Sequence, residues 1–367
     1  MSEADRIQGG SQMMRNIATV LAVLFFPAAP ARGYAAQCSV QQGQALIDVG
    51  RYDAAIREFT CVMQAQPTDV EGYRGRIEAQ LLSGRYSDAV RTAAALNAFV
   101  LPVHPDAETT ILQGYNARLT VAPQSISALT GKSFAYWWFF EYQAGIQVLN
   151  DLLAIVPNDV YGNLFRGSSR LLHGATPNKG VADLERAIQL APQSPHVHYV
   201  VADAYTYGQS DPVRAFAEAS FALNGGLDTP RVHAILATSY IAFGDMSSAA
   251  LHLERHIELV TTQLVPAPAI APGTSLVVNL VPGRTFEIPV PATIGQTISI
   301  TTDSPTHEIS DSILVMVAPD GTPVVGGDDY IKYFAGFVWT AEETGTYLLR
   351  VTSFESVSTG QLAVTRK

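Results

Sequence analysis

This chain of 367 residues predicts an α-helical solenoid followed by an antiparallel β-sandwich. Three observations carry the prediction. Gly50-Arg51-Tyr52-Asp53-Ala54-Ala55 returns as Gly84-Arg85-Tyr86-Ser87-Asp88-Ala89, 34 residues later, and a fixed period of that length marks stacked helix pairs. Beyond residue 262 the hydrophobic period falls from helical to two. A Pro/Ala-rich stretch lies between the two regimes. One helix pair cannot bury its apolar face alone, so several must stack. Such stacks bind other molecules along a concave face more often than they do chemistry.

At 47% hydrophobic and 15% charged residues, the composition is that of a globular chain and not of a disordered one. The net charge of −10 gives no electrostatic footprint for nucleic acid. The chain begins with what reads as a signal peptide over residues 1–36. Ile17 to Phe26 is an apolar run of ten, too short to span a bilayer comfortably. Arg15 precedes the run, and small residues and prolines follow it to Ala36. Residues 1–12 fit no signal peptide, so translation is expected to start at Met13 or Met14. Cleavage near Ala35 or Ala36 would leave a chain beginning at Gln37, exported to the periplasm, the cell surface or the medium. A retained N-terminal anchor is the alternative. Gln37 stands where a lipid anchor on Cys38 would need a small residue.

The two cysteines open the helical part. Cys38 sits at the start of the first helix and Cys61 lies near the end of the second. Antiparallel helices bring those ends side by side, and an oxidising compartment preserves a disulfide. A Cys38–Cys61 bond is therefore expected, with two free buried thiols as the alternative.

Repeat one runs from about residue 36 to 69. Gly43 and Ala55 are its small contacts, Leu46 and Phe59 its large ones, and Pro67 its stop. Repeat two runs to about 103, with Tyr73, Ala89 and Leu96 in core roles and Ile77 where a small contact is expected. These residues resemble the tetratricopeptide repeat family, and the resemblance covers roughly 36–262. It implies about six repeats over 37–262 and is silent on the ligand. The register breaks at 98–125, where Pro102, Pro105 and Pro123 leave room for one helix over Asp106–Leu119, a degenerate half-repeat. Repeat three resumes at about 126 with Ser133 and Gly145, and Phe140 replaces the turn glycine. Repeat four uses Gly167, Gly174, Gly180, Leu184 and Ala187. Repeat five uses Ala202, Tyr205, Ala215 and Ala222, and repeat six Ala237, Tyr240, Gly244 and Ala249. Repeats four and five each carry one extra residue in the turn.

Residues 263–274 read as a stiff Pro-rich linker. From 275 to 367, apolar residues alternate at Leu276/Val278/Leu280, Phe286/Ile288/Val290, Ile298/Ile300, Ile313/Val315/Val317, Phe337/Trp339, Tyr347/Leu349/Val351 and Leu362/Val364. Turn signals separate these runs at Pro282-Gly283, Pro319-Asp320-Gly321, Gly326-Gly327 and Thr344-Gly345. The segments Phe286-x-Ile288-x-Val290, Asp311-Ser312-Ile313-Leu314, Pro319-Asp320-Gly321, Asp328-Asp329 and Thr344-Gly345-Thr346-Tyr347 resemble the bacterial pre-peptidase C-terminal family. The resemblance implies a small jelly-roll-like module appended to exported proteins. Here no peptidase domain accompanies it.

Catalytic signatures are absent: the sequence has no His-Glu-x-x-His, no Gly-x-Ser-x-Gly, no Walker loop and no Gly-x-Gly-x-x-Gly. His252 and His256, four apart on one helix, share a face, but no third metal ligand accompanies them. His196 and His198 point to different sides. Asp320, Asp328 and Asp329 sit in β-loops, where solvated turn residues explain them as well as a hard cation does. No metal or cofactor is expected. The helical register directs Arg74, Glu78, Phe134, Trp137, Trp138, Tyr161, Leu164, Tyr199, Asp203 and Tyr207 to the inner face. Aromatic side chains there would anchor a partner through area and stacking. The competing reading packs Tyr136–Phe140 against the half-repeat or the β-domain. The sequence thus points to a non-enzymatic exported scaffold that binds a protein or peptide on its concave face, with the sandwich as an accessory or display module. The alternative is a carbohydrate- or cell-wall-binding protein that uses the groove aromatics and the sandwich.

Overall fold

The computed structural model describes residues 38–173, 176–281, 283–303, 312–328, 335–353 and 360–367. The expected signal peptide with Met13 and Met14 lies outside the described residues, as do Gly174, Pro282, Asp311 and Asp329. The chain forms two compact units, divided between Leu190 and Ala191. The division falls inside the helical part and not at the Pro-rich stretch, because the last helices share a core with the strands.

The first unit holds α1 (Val40–Asp48), α2 (Tyr52–Ala65), α3 (Val70–Leu82), α4 (Tyr86–Phe99), α5 (Ala107–Val121), α6 (Ile126–Trp138), α7 (Tyr142–Ile155), α8 (Val160–His173) and α9 (Pro177–Leu190). They form tetratricopeptide-like helix pairs, with α5 unpaired between the second and third pair. Ser39, Asp69 and Ser125 start their helices by accepting the backbone N–H three residues on, which satisfies a donor the helix leaves orphaned. The pair turns need a left-handed residue, supplied by Gly50 (φ 73°) and Gly84 (φ 75°). At the third pair Phe140 adopts φ 64° instead. Ala55 and Phe59 of α2 are fully buried, as is Ala89 of α4. Helix α5 buries Ala107, Ile111 and Tyr115 in one cluster with Tyr73, Leu96 and Phe99. A disulfide joins Cys38 to Cys61, with Cα atoms 5.9 Å apart.

The second unit begins with α10 (Pro195–Ala204), α11 (Pro212–Asn224), α12 (Pro230–Phe243) and α13 (Met246–Val260). The first three open with proline, behind Ser194, Asp211 and Thr229 as caps, and proline at the first turn costs no helical hydrogen bond. The extra residue of repeat five is absorbed as a π-helical turn over Tyr205–Gln209, closed by Ser210 at φ 51°.

Among the described residues nine strands follow: β1 (Gln263–Pro266), β2 (Thr274–Leu280), β3 (Arg284–Ala292), β4 (Thr297–Asp303), β5 (Ser312–Val317), β6 (Pro323–Asp328), β7 (Gly336–Thr340), β8 (Gly345–Ser353) and β9 (Gly360–Arg366). They build two sheets, β1-β3-β8-β5-β6 and β2-β9-β4-β7, antiparallel except for the β1–β3 pair. The stretch expected as a linker is thus bound into the sandwich. Gln263–Pro266 pairs in parallel with Arg284–Glu287, and Ile270 is buried in the sandwich core. Pro266 fits because β1 is a short edge strand, where a missing N–H breaks no ladder. Arg366, almost fully buried, donates to the carbonyls of Ile270 (3.0 Å) and Pro291 (2.9 Å), fastening the same stretch.

Strand β5 is buried along its whole length. Leu314 and Met316 enter the core between the sheets. Ile313, Val315 and Val317 face the other way, against Ala234 and Ala237 of α12 and Leu253 and Ile257 of α13. Reading only the alternate apolar positions hides this, because a strand covered on both faces is a continuous apolar run.

Candidate functional site

The residues assigned to the inner face fall into a cluster in each unit. In the first, Glu78 of α3 is fully buried and receives two hydrogen bonds from Arg118 of α5 (2.7 and 2.9 Å). Arg74 lies 3.5 Å from Glu78 and donates through Nε to Glu71 (2.8 Å). Its guanidinium sits 5.1 Å above the Tyr115 ring. Burial drives the Tyr115 hydroxyl well above its usual pKa, with Glu78 adding to the effect. Two cations and two carboxylates balance, and the Glu78–Arg118 pair latches α3 to α5, with Arg74 beside it (charges buried without partners are costly).

Phe134 and Tyr161 are buried in an aromatic stack. Tyr161 lies 4.6 Å from Phe165, and Tyr86 of α4 meets both of these rings. Phe134 stacks on Trp138 at 6.4 Å. The Tyr161 hydroxyl donates to the Thr130 carbonyl (3.0 Å). Burial pushes that hydroxyl's pKa far up, so it stays neutral. Leu164 is buried as well. Trp137 donates to Ser168 (3.1 Å) and Trp138 to Asn97 (3.0 Å), and both indoles keep a half-buried edge. Phe139 packs on the cluster of α5. A cavity of about 20 Å³, room for about one water, lies beside Arg74, Tyr115, Phe134 and Trp138.

In the second unit Tyr199 and Asp203 of α10 are buried, while Tyr207 is 40% exposed. The π turn carries Tyr207 outward, and such turns recur at functional positions. The guanidinium of Arg231, at the start of α12, lies 4.4 Å above the Tyr207 ring. Asp203 accepts from Arg231 Nε at 2.8 Å. An aromatic ring is thereby held by a cation that a buried carboxylate fixes in place. Sequence reasoning found Asp203 and Tyr207 and missed Arg231; the unused signal is Thr229-Pro230, a cap and proline that start α12 and put Arg231 in its first turn.

The histidines divide differently from their spacing. His252 and His256 do not share a site. His252 Nδ1 meets His233 Nδ1 at 2.8 Å, and His256 Nδ1 donates to the Pro230 carbonyl at 2.9 Å. Asp228 accepts from His233 Nε2 (2.8 Å), which leaves His233 Nδ1 to accept from His252. Burial, with His233 adding, pulls His252 down to about 4; burial also lowers His233 in spite of Asp228. Burial works against the charged form of His198, but its bonds to Glu218 and the Pro192 carbonyl carry it above the ordinary value. Asp320 accepts from the Thr322 N–H at 2.9 Å within its turn. The side chain of Asp328 and all of Asp329 lie outside the described residues. Among the described residues no three His, Cys, Asp or Glu side chains gather as metal ligands.

No protein-family model matches the chain. No curated protein sequence matches it either. Solved structures similar to it include a tetratricopeptide repeat protein from Parabacteroides merdae, at 15% identity, 61% coverage of this chain, 93% of the other, and a TM-score of 0.39. Another is PilF of Pseudomonas aeruginosa, at 15% identity, coverage of 60% and 89%, and a TM-score of 0.34. The pre-peptidase C-terminal domain of a Bacillus anthracis collagenase is similar at 13% identity, with 29% of this chain and 95% of that one covered and a TM-score of 0.24.

Proposed function

We propose that this chain is a non-enzymatic, exported scaffold whose helix pairs bind a protein or peptide partner, with the sandwich as an accessory module. The observation that carries the reading is the Asp203–Arg231–Tyr207 group. It presents an aromatic ring to solvent on a rigid support, as an interface anchor requires. Trp137 and Trp138 offer half-buried indole edges of the same kind in the first unit. The Cys38–Cys61 disulfide supports an oxidising compartment. No helix among the described residues is long and apolar enough to cross a membrane.

The test is affinity capture from the source organism's envelope by the wild-type chain and by Tyr207→Ala. The proposal expects one protein to be retained by the wild type and lost with Tyr207→Ala, at unchanged melting temperature. Retention on peptidoglycan or polysaccharide, abolished by Trp137→Ala and indifferent to Tyr207, would replace it with the glycan reading.

A further inference from the structure

The outer face of the five-stranded sheet covers the last helix pair. Ile313, Val315 and Val317 of β5, with Leu348 of β8, pack on Ala234, Ala237, Leu253 and Ile257. At Gly326 of β6 the strand comes so close to α13 that an added Cβ would sit 2.6 Å from Leu253 Cδ1 and 3.5 Å from Ala250 Cα. Leu253 and Ala250 are themselves fully buried, and the Leu314 carbonyl oxygen, 3.1 Å from the same point, is backbone. Across the same seam, Arg350 of β8 binds Glu254 of α13 and, at 3.0 Å, Glu287 of β3. Beyond the helix, Thr261 and Thr285 share a hydroxyl hydrogen bond at 2.5 Å, and the Thr262 N–H donates to the Gly283 carbonyl at 2.8 Å.

A stack of helix pairs has two end faces, and an end pair left bare exposes the apolar surface on which the next pair would sit. Left uncovered, such a face is a self-association site, and a head-to-tail contact that does not close propagates. On α12–α13 that surface is the one the sheet occupies. We infer that the sandwich is the C-terminal cap of the helical array. It fills the place of a further helix pair, blocks end-to-end stacking of chains, and opens together with α12–α13 as one cooperative unit. Along β5 the face of the sheet turned to the helices is aliphatic for the same reason. A sandwich that only displayed itself would carry polar residues at Ile313, Val315 and Val317, since the solvent face of a sheet is ordinarily polar.

Native-state hydrogen exchange on the full chain tests this without any partner. Leu253→Ala on the helix side truncates the seam and leaves every sandwich side chain intact. Gly326→Ala perturbs the seam from the sheet side and serves as the second variant. Each should speed exchange of the α12–α13 amides and of the β5 and β8 amides by one common factor, on the order of a hundredfold for Leu253→Ala. In sedimentation, Leu253→Ala should also show concentration-dependent association that the wild type lacks. Acceleration confined to α12–α13, with β5 and β8 exchanging at the wild-type rate, would make the sandwich an independent domain and overturn the inference.

Discussion

Phe140 shows how one residue can depart from the rule its neighbours keep. It occupies the left-handed turn position that Gly50 and Gly84 fill in the earlier pairs, and it is 78% exposed, so little packing compensates. A side chain at such a φ costs on the order of 1 kcal/mol. Phe140→Gly is expected to stabilise the chain by about that amount in urea unfolding; an unchanged midpoint would mean that the ring contributes as much as the turn costs. The sequence announced this position, because the period placed Phe140 where a glycine belongs. It did not announce the Asp228–His233–His252 chain, whose members come from a loop and two helices and meet only on folding. Both imidazoles are held below their unfolded value of 6.5, His252 at about 4. Between those values the unfolded chain binds more protons than the folded one. The contribution of this pair to stability is therefore full above pH 6.5 and declines as the pH falls toward 4. Replacing His252 by Phe, which keeps the stack on Tyr240, should make that acid-side decline shallower in denaturant titrations at pH 7 and pH 5.

Among the elements, α5 depends on a charged latch as well as on apolar contact. Removing Arg118 leaves Glu78 fully buried with only Arg74, 3.5 Å away. Arg118→Ala should cost about 3 kcal/mol. Substituting both partners with apolar residues, Glu78→Leu with Arg118→Met, should recover most of that loss. If the double variant is no better than the single one, the latch is worth more than its desolvation cost. The helix itself was legible from Pro105 and the broken register, whereas its partner across the fold was not, since nothing local links positions 40 residues apart. Strand β5 reverses the case. All its information was present in the run Ser312–Val317, but a period of two fits one face of an apolar run as well as the other. The inner-face residues show the same limit. Helical register gives the direction in which Arg74, Phe134 and Tyr161 point, but not what stands opposite them. Tyr86, on a second helix of a pair, completes the stack that Tyr161 and Phe165 begin.

Across the whole molecule three properties combine: an oxidised N-terminal repeat, a series of helix pairs, and the aromatic rings that the proposed function makes partner anchors. The disulfide closes a segment with a sequence separation of 23 residues, for which chain entropy suggests about 3 kcal/mol. Reduction, or Cys61→Ser, should lower the melting temperature by a few degrees in proportion; no shift on reduction would mean that α1 and α2 hold each other unaided. Partner binding by the helix pairs is the central claim, and it is tested most directly by hydrogen-exchange footprinting of the full chain with and without the protein it captures from the envelope. The account predicts new protection at the π turn around Tyr207 and at the start of α12 around Arg231, with the strands of the sandwich unchanged. Protection that falls on the strands alone, leaving Tyr207 and Arg231 as exposed as before, would contradict it.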